Sequence, residues 1–459
     1  VKTIRLARSL PDAVQLLLVN TFGIALGFYL LFPYLAIYLR DNLQLAAAVV
    51  GAVLGLRVLC QQGLTLVGGT LADRIGHRPM IIAGCALRTV AFAMFAVFDN
   101  VAGLIAASML VGFAGALFSP ASRAYLAIAA GEKRLDAFAL QNIAMTVGAL
   151  AGPLIGSVLV AIDFRWTAGG SAAVFGILTI WQLFKLPAHH VDKDTGSTLA
   201  SWREVLQNKA FLGFALATSV LFLFYNQFYL ALPLEATRVT GWTGATSGVF
   251  IVSTIVTLLA QVRLIRWLNR RASPGTAVAL GLAIIGVSFV PLALSMAFIG
   301  DDHSLWAAIP VALAAIGLTL GLDIAQPFTQ ELVVGFARPA LTGTYLGMFG
   351  TASGITTALG NTGIGAVEDL GRGWSVPWLS AAGLFVVALG TAFAVFRMHR
   401  RGKLSGTAES PQDGQSATAE VEHGEVVVRG PGLSGSPGDA GNPTGLPVEE
   451  TEPAPTRNS

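Results

Sequence analysis

Runs of about 20 apolar residues recur along the chain from Val14 to Phe396, separated by short polar or charged stretches. A helix rises about 1.5 Å per residue, so each run can cross the ~30 Å hydrocarbon core of a bilayer. The pattern predicts twelve spans, near 14–39, 46–72, 79–98, 101–128, 138–162, 166–186, 211–234, 242–268, 275–299, 304–334, 341–367 and 375–397. The expected class is therefore an all-α integral membrane protein. Composition agrees: 54% of the 459 residues are hydrophobic and 12% are charged, where soluble domains carry roughly 25% charged residues. The first run is long and lacks a small-residue cleavage site, so it reads as a span and not as a cleavable signal.

Charge sets the expected orientation. If odd spans run outward, Lys and Arg crowd the inner segments, among them Lys2, Arg74, Arg78, Lys133, Arg134, Lys185, Arg270, Arg271, Arg338 and Arg400. The outer segments hold only Arg40, Arg165, Arg238 and Arg372. Cytoplasmic loops retain basic residues, which places both termini in the cytoplasm of a cell membrane. The longest internal connection, 187–210, is polar and then amphipathic around Ser201, Trp202, Arg203, Glu204 and Lys209, and reads as a connector with an interfacial helix. It divides the chain into six-helix bundles at 1–186 and 211–401. The remainder, 402–459, is rich in Gly, Pro, Ser and Glu without an aromatic residue, and is expected to be disordered and cytoplasmic.

The halves echo one another, as inverted or parallel repeats do in transporters. Asp73-Arg74-Ile75-Gly76-His77-Arg78-Pro79 after span two has a degenerate partner in Asn269-Arg270-Arg271-Ala272-Ser273-Pro274 after span eight, and Ser119-Pro120 in span four recurs as Gln326-Pro327 in span ten. Around the first of these, Gly69, Asp73, Arg74, Gly76 and Arg78 form a tight loop. Its glycines permit close helix approach, Asp73 can meet the positive end of a neighbouring helix, and Arg74 and Arg78 can anchor at an anionic leaflet. This segment resembles the signature loop of the major facilitator superfamily, which implies a gating loop and a fold of two pseudo-symmetric six-helix bundles. In span five, Gly148, Gly152, Pro153 and Gly156 resemble the antiporter motif of drug:proton exporters in that superfamily, with Ser157 where a final glycine is usual. Small residues every fourth position allow close packing, and Pro153 is expected to free a carbonyl and bend the helix. Gly55-Leu56-Arg57, Gln61-Gln62-Gly63, Gly68-Gly69, Arg88, the stretch from Gly112 to Pro120 and Leu232-Pro233 extend the likeness to the MdtH-like multidrug-resistance branch, over roughly residues 1–400. Ser108 stands where many such antiporters carry an arginine.

Polar groups inside spans mark a pathway, because a charge at membrane depth costs at least a few kcal/mol unless it faces a partner or water. In the first half Arg57 and Gln61 share one helix face, with Asn142 in span five; the family fold puts span two beside the cavity and span three outside it, which makes Arg88 a structural partner. In the second half Asp323, with Gln326 on its face, is the carboxylate placed well inside a span, and Asn226 and Asn361 add polar positions. Asp323 reads equally as a proton site or as a carboxylate paired with an arginine. Tyr29 and Tyr225 stand out among the aromatic residues of spans one and seven, whose rings can line a pocket for apolar or cationic compounds.

The chemistry of soluble enzymes is missing. No phosphate-binding Gly-x-x-x-x-Gly-Lys-Ser/Thr loop occurs, so direct ATP coupling is not expected. His189, His190 and Asp192 read as a solvated linker, Cys60 and Cys85 as small buried residues, and no metal, cofactor or catalytic set is expected. Basic residues at helix ends give no nucleic-acid patch, and no obligate protein partner is implied. The resemblance implies a proton-coupled exporter of small amphipathic compounds, whose partners are a small-molecule substrate, protons and the lipid bilayer. Two other readings stay open: a transporter of one metabolite such as a sugar, peptide or siderophore, and a receptor that kept the fold.

Overall fold

The computed structural model describes residues 10–187, 198–300, 304–337 and 341–404, and every regular element among them is helical. The first half runs α1 (Asp12–Ile37, continued by a π turn at Tyr38–Asn42), α2 (Ala47–Gly63), α3 (Thr65–Ile75), α4 (His77–Val97), α5 (Val101–Ala130), α6 (Arg134–Ile162) and α7 (Phe164–Lys185). A short α8 (Thr198–Gln207) lies in the connector. The second half runs α9 (Lys209–Thr218), α10 (Val220–Asn226), α11 (Ala231–Thr240), α12 (Ala245–Asn269), α13 (Pro274–Phe298), α14 (Ile309–Gly335), α15 (Thr342–Gly373) and α16 (Leu379–Arg400). The expected disorder of 402–459 and the linker reading of His189, His190 and Asp192 fall outside the described residues, apart from residues 402–404.

Ten helices among the described residues are long and apolar enough to cross a membrane, and α12, bent by 42° between Gln261 and Arg263, makes an eleventh when taken as one span. The one expected span left over is that at 341–367, which is α15, 32 residues long but too rich in Gly and Thr to count as apolar. Packing explains its composition. A Cβ built on Gly51 of α2 would sit 2.2 Å from the Asn361 carbonyl oxygen, and one on Gly365 of α15 would sit 2.3 Å from the Ala47 carbonyl oxygen. Gly55 meets Ala358 and Gly354 meets Leu59, so the two helices run backbone to backbone over most of the length of α2, and Gly347 carries the contact on to the side chain of Leu66 in α3. Without side-chain surface facing lipid, that face needs small residues and not apolar ones.

The span-seven region is broken where the sequence suggests one helix. α10 ends at Asn226, and Gln227 to Leu230 form turns before α11 begins. Gln227 is fully buried there and donates to the Leu223 carbonyl and, at 3.3 Å, to Asn361 Oδ1. Irregular backbone at membrane depth is tolerated where protein or a cavity lines it. The ends of the bundle are called near, where Asp12, Ile75 and Arg400 lie, and far, where Asn42, Ala47 and Gly373 lie.

Candidate functional site

A central cavity of about 270 Å³ is walled by α1, α2, α4, α5 and α6 from the first half and by α10 and Tyr229 from the second. Arg57, Gln61, Asn142, Tyr29, Tyr225 and Asn226, all singled out from sequence, line it together with Arg88, Gln62, Gln141 and Ser122. A second cavity of about 230 Å³ lies between α6 and α12 and holds Asp323, Gln326, Thr254, Thr257 and Thr319. Tyr29, Tyr225 and Tyr229 belong to both. Their hydroxyls form a chain, with Tyr29 to Tyr225 at 3.1 Å and Tyr225 to Tyr229 at 3.0 Å, so one polar bridge separates the cavities and joins the halves.

Helix spacing delivers these groups. Arg57 Nη1 donates to Gln61 Oε1 at 2.8 Å, one turn along α2. Its guanidinium carbon sits 5.3 Å and 5.0 Å from the ring centroids of Phe28 and Phe32 on α1. Ser108, buried on α5, donates to the Val53 carbonyl at 2.7 Å and closes the α2–α5 contact one turn before Arg57. Arg88 departs from expectation. It lines the same cavity instead of standing outside it, against the rings of Phe118 and Phe175, because glycine at 115 leaves room: a Cβ there would be 3.2 Å from Gln61 and 3.3 Å from Arg88 Nη2.

Asp323 is half-buried with Oδ2 lacking a hydrogen-bond partner, and Thr257 is within its reach. No arginine pairs with it among the described residues, so the paired-carboxylate reading finds no support. The buried carboxylate that does pair is Glu235 on α11, held by two bonds from Arg238 at 2.7 and 2.8 Å and by Ser295 Oγ–H. Sequence reading passed over it at a span end, although the Glu235 and Arg238 spacing of three residues was visible. Asn361 lines neither cavity; it is buried in the seam between α2 and α15. Thr257 was missed, and Tyr229, counted among the aromatic residues of span seven, was not singled out, because nothing in their local sequence tells a cavity-facing hydroxyl from a packed one.

The glycines of α6 face α1. Cβ atoms on Gly148, Gly152 and Gly156 would sit 2.6, 2.6 and 2.3 Å from Phe22 O, Tyr29 Cβ and Leu30 O. Pro153 contributes differently from expectation: its own carbonyl accepts from Tyr34 Oη at 2.6 Å and from Ser247 Oγ at 2.8 Å. Three helices, α1, α6 and α12, thus meet at one oxygen toward the far end. There too, Asp369 accepts from the backbone N–H groups of Ala47 and Ala48 at 3.0 Å each and pairs with Arg40 at 3.4 Å. The first cavity reaches instead toward the near end, as far as exposed Arg123. In the loop between α3 and α4, Gly76 has a φ of +110°, a conformation that favours glycine. Arg74 is exposed, while Arg78 turns inward and donates to the carbonyls of Leu186 and Leu183 at 2.7 and 2.8 Å, capping α7. The Asp73 side chain is outside the described ones.

A two-half cavity with polar groups at mid-depth is the geometry of a carrier, and the Major Facilitator Superfamily profile matches residues 17–361. The chain belongs to the Major Facilitator Superfamily. As a member of that superfamily it is a multi-pass membrane transporter. It is 39% identical over 383 residues to an uncharacterized MFS-type transporter of Mycobacterium tuberculosis, covering 82% of this chain and 90% of that one. It is 31% identical over 374 residues to the multidrug resistance protein MdtH of Edwardsiella ictaluri, covering 81% and 90%. Among solved structures, a POT family transporter in complex with 5-aminolevulinic acid superposes with a TM-score of 0.72 at 14% identity, covering 86% of this chain and 99% of that one. The nucleoside transporter NupG superposes with a TM-score of 0.71 at 17% identity, covering 84% and 100%. At such identity these two share the superfamily fold alone.

Proposed function

We propose that this transporter is a proton-coupled exporter of small amphipathic compounds working by alternating access, with both termini cytoplasmic in the inner or plasma membrane and the cavity facing inward. The observation that supports it most is the asymmetry of the cavity: Tyr34, Ser247 and Pro153 join the halves toward the far end, while the space reaches exposed Arg123 toward the near end. Rocking of the bundles 1–186 and 211–401 about the α2–α15 seam would exchange these ends. Gly69, Asp73, Arg74, Gly76 and Arg78 form the conformational loop, and Gly148, Gly152, Pro153 and Gly156 couple α6 to α1 and, through the shared oxygen, to α12.

A proton can drive that exchange only through a group with different proton affinity in the two states. Asp323 fills this role: it is an unpaired carboxylate in a cavity at the interface of α6 and α12, beside Gln326. The name of the MdtH relative favours export of drugs. A second reading, carriage of one metabolite, is favoured by the amide-rich lining of Gln61, Gln62, Gln141, Asn142 and Asn226. Drug accumulation in a pump-deficient cell, comparing the intact chain with Asp323→Asn, tests the first. Efflux at least about tenfold slower in the variant is expected if the carboxylate carries the proton. Equal efflux removes Asp323 from the mechanism, and absence of efflux for every hydrophobic compound favours the metabolite reading.

A further inference from the structure

We infer that the cavity holding Arg57 and Arg88 binds an organic anion, an amphipathic monoanion whose carboxylate meets the guanidinium groups while its apolar body lies against the aromatic wall. The inference deepens the proposed function and rests on it for transport, though not for binding.

Two buried arginines face one cavity without a carboxylate. Arg57 is 5% and Arg88 6% exposed, and no Asp or Glu lines the space among the described residues. Nε of Arg57, and Nε and Nη1 of Arg88, are buried donors with no hydrogen-bond partner. Asp323 lies in the neighbouring cavity across the tyrosine bridge and, among the described residues, makes no ion pair with either arginine. The chain shows elsewhere how it neutralises an arginine whose role is structural, since Arg238 is bonded through two nitrogens to buried Glu235. Leaving a buried charge without its counter-charge is costly, so a site that keeps two of them is suited to a ligand that brings the negative charge.

The aromatic wall selects against cations. Two of the phenylalanines that line the cavity already hold a cation over their rings, Phe28 that of Arg57 and Phe118 that of Arg88. A second cation entering there would meet like charge in a setting with little water to screen it. An anion meets the opposite. The planar guanidinium fork matches a carboxylate through paired N–H donors, and the Gln61 bond fixes the orientation of the Arg57 plane. Tyr29, Tyr225 and Phe222 then offer an apolar surface with a few hydroxyls for the body of the ligand.

The test uses the full chain in nanodiscs and three probes of one shape: 1-naphthoate, neutral 1-naphthamide and 1-naphthylmethylammonium. Binding of naphthoate at least about tenfold tighter than either other probe is expected, the range of a hydrogen bond to a charged group. Arg57→Gln removes that preference, and Arg57→Lys, which keeps the charge without the fork, restores part of it. Equal or tighter binding of the ammonium probe overturns the inference, as does a preference unchanged in both Arg57→Gln and Arg88→Gln. Should the glutamine variants fail to fold, the ranking of the three probes on the unmodified chain decides by itself. Counterflow in proteoliposomes separates the two claims. Naphthoate that binds with this preference but is not carried sustains the anion site and refutes the exporter. An ammonium probe carried outward by a pH gradient sustains the exporter and refutes the anion site.

Discussion

The carbonyl oxygen of Pro153 lies within hydrogen-bond distance of two hydroxyls from different helices, Tyr34 of α1 and Ser247 of α12, which are themselves 2.7 Å apart, so two hydroxyl hydrogens serve three contacts. Each bond to that oxygen is worth about 1 kcal/mol net. Tyr34→Phe and Ser247→Ala should each destabilise the purified protein by about that amount, with the double variant losing less than the two together because each single variant already loses the contact between the two hydroxyls. Thermal unfolding of the four proteins measures it. Strict additivity would show that the two hydroxyls act independently and that their mutual contact contributes nothing. This junction and the cavities differ in how readable their residues are. Arg57, Asp323 and Tyr225 announce themselves as polar groups in apolar runs. Ser247 does not, since a serine in a membrane helix usually satisfies itself on its own backbone, and nothing local reveals a partner on another helix.

At the scale of single helices, close approach is the controlling fact. Gly152 of α6 has Tyr29 Cβ where its own would be, whereas Gly169 of α7 has nothing within 4 Å of that position. Gly152→Val should destabilise the protein by about 1–3 kcal/mol through overpacking, while Gly169→Ala should be neutral or stabilising by up to about 1 kcal/mol. Differential scanning of both variants checks the pair, and equal effects would contradict the stated contacts. The glycine spacing in α6 was legible because a repeat of four keeps small residues on one face. The character of α15 was less so: hydropathy rewards lipid exposure, and a helix that spends its surface on a neighbour's backbone loses that signal. The break after Asn226 was illegible for another reason, as neither Gly nor Pro marks it and the buried amide of Gln227 takes over the bonding.

Across the whole molecule the far end is held by Asp369, which lies just past its expected span. Burial pushes the carboxylate pKa up, but the N–H donors of Ala48 and Ala47 and the charge of Arg40 outweigh that and hold it below the usual carboxylate range. The sign follows from that depression. A carboxylate whose pKa is lowered by folding contributes stability above its ordinary value of about 3.9, and the contribution is lost as pH falls through the lowered value. Closure at this end should therefore be at full strength at neutral pH and weaken only in strong acid. Asp369→Asn should weaken it at neutral pH and flatten the acid dependence, read by reaction of a cysteine placed at Ala231 with a membrane-impermeant thiol reagent, Cys60 and Cys85 having first been replaced. Unchanged labelling in the variant would remove Asp369 from the closure.

The seam between α2 and α15 has a further consequence for where a compound enters. Backbones in contact leave no slot, so that side of the bundle is shut to the bilayer along most of its height. The wall between α6 and α12 differs: the Asp323 cavity lies within it, and Met145 at its rim is 50% exposed. With the near end cytoplasmic, as proposed, a greasy molecule dissolved in the inner leaflet could enter from this side with no need to cross water. Its rate of loading then follows how strongly it partitions into lipid, and two compounds of equal affinity for the cavity but unequal oiliness are carried at different speeds.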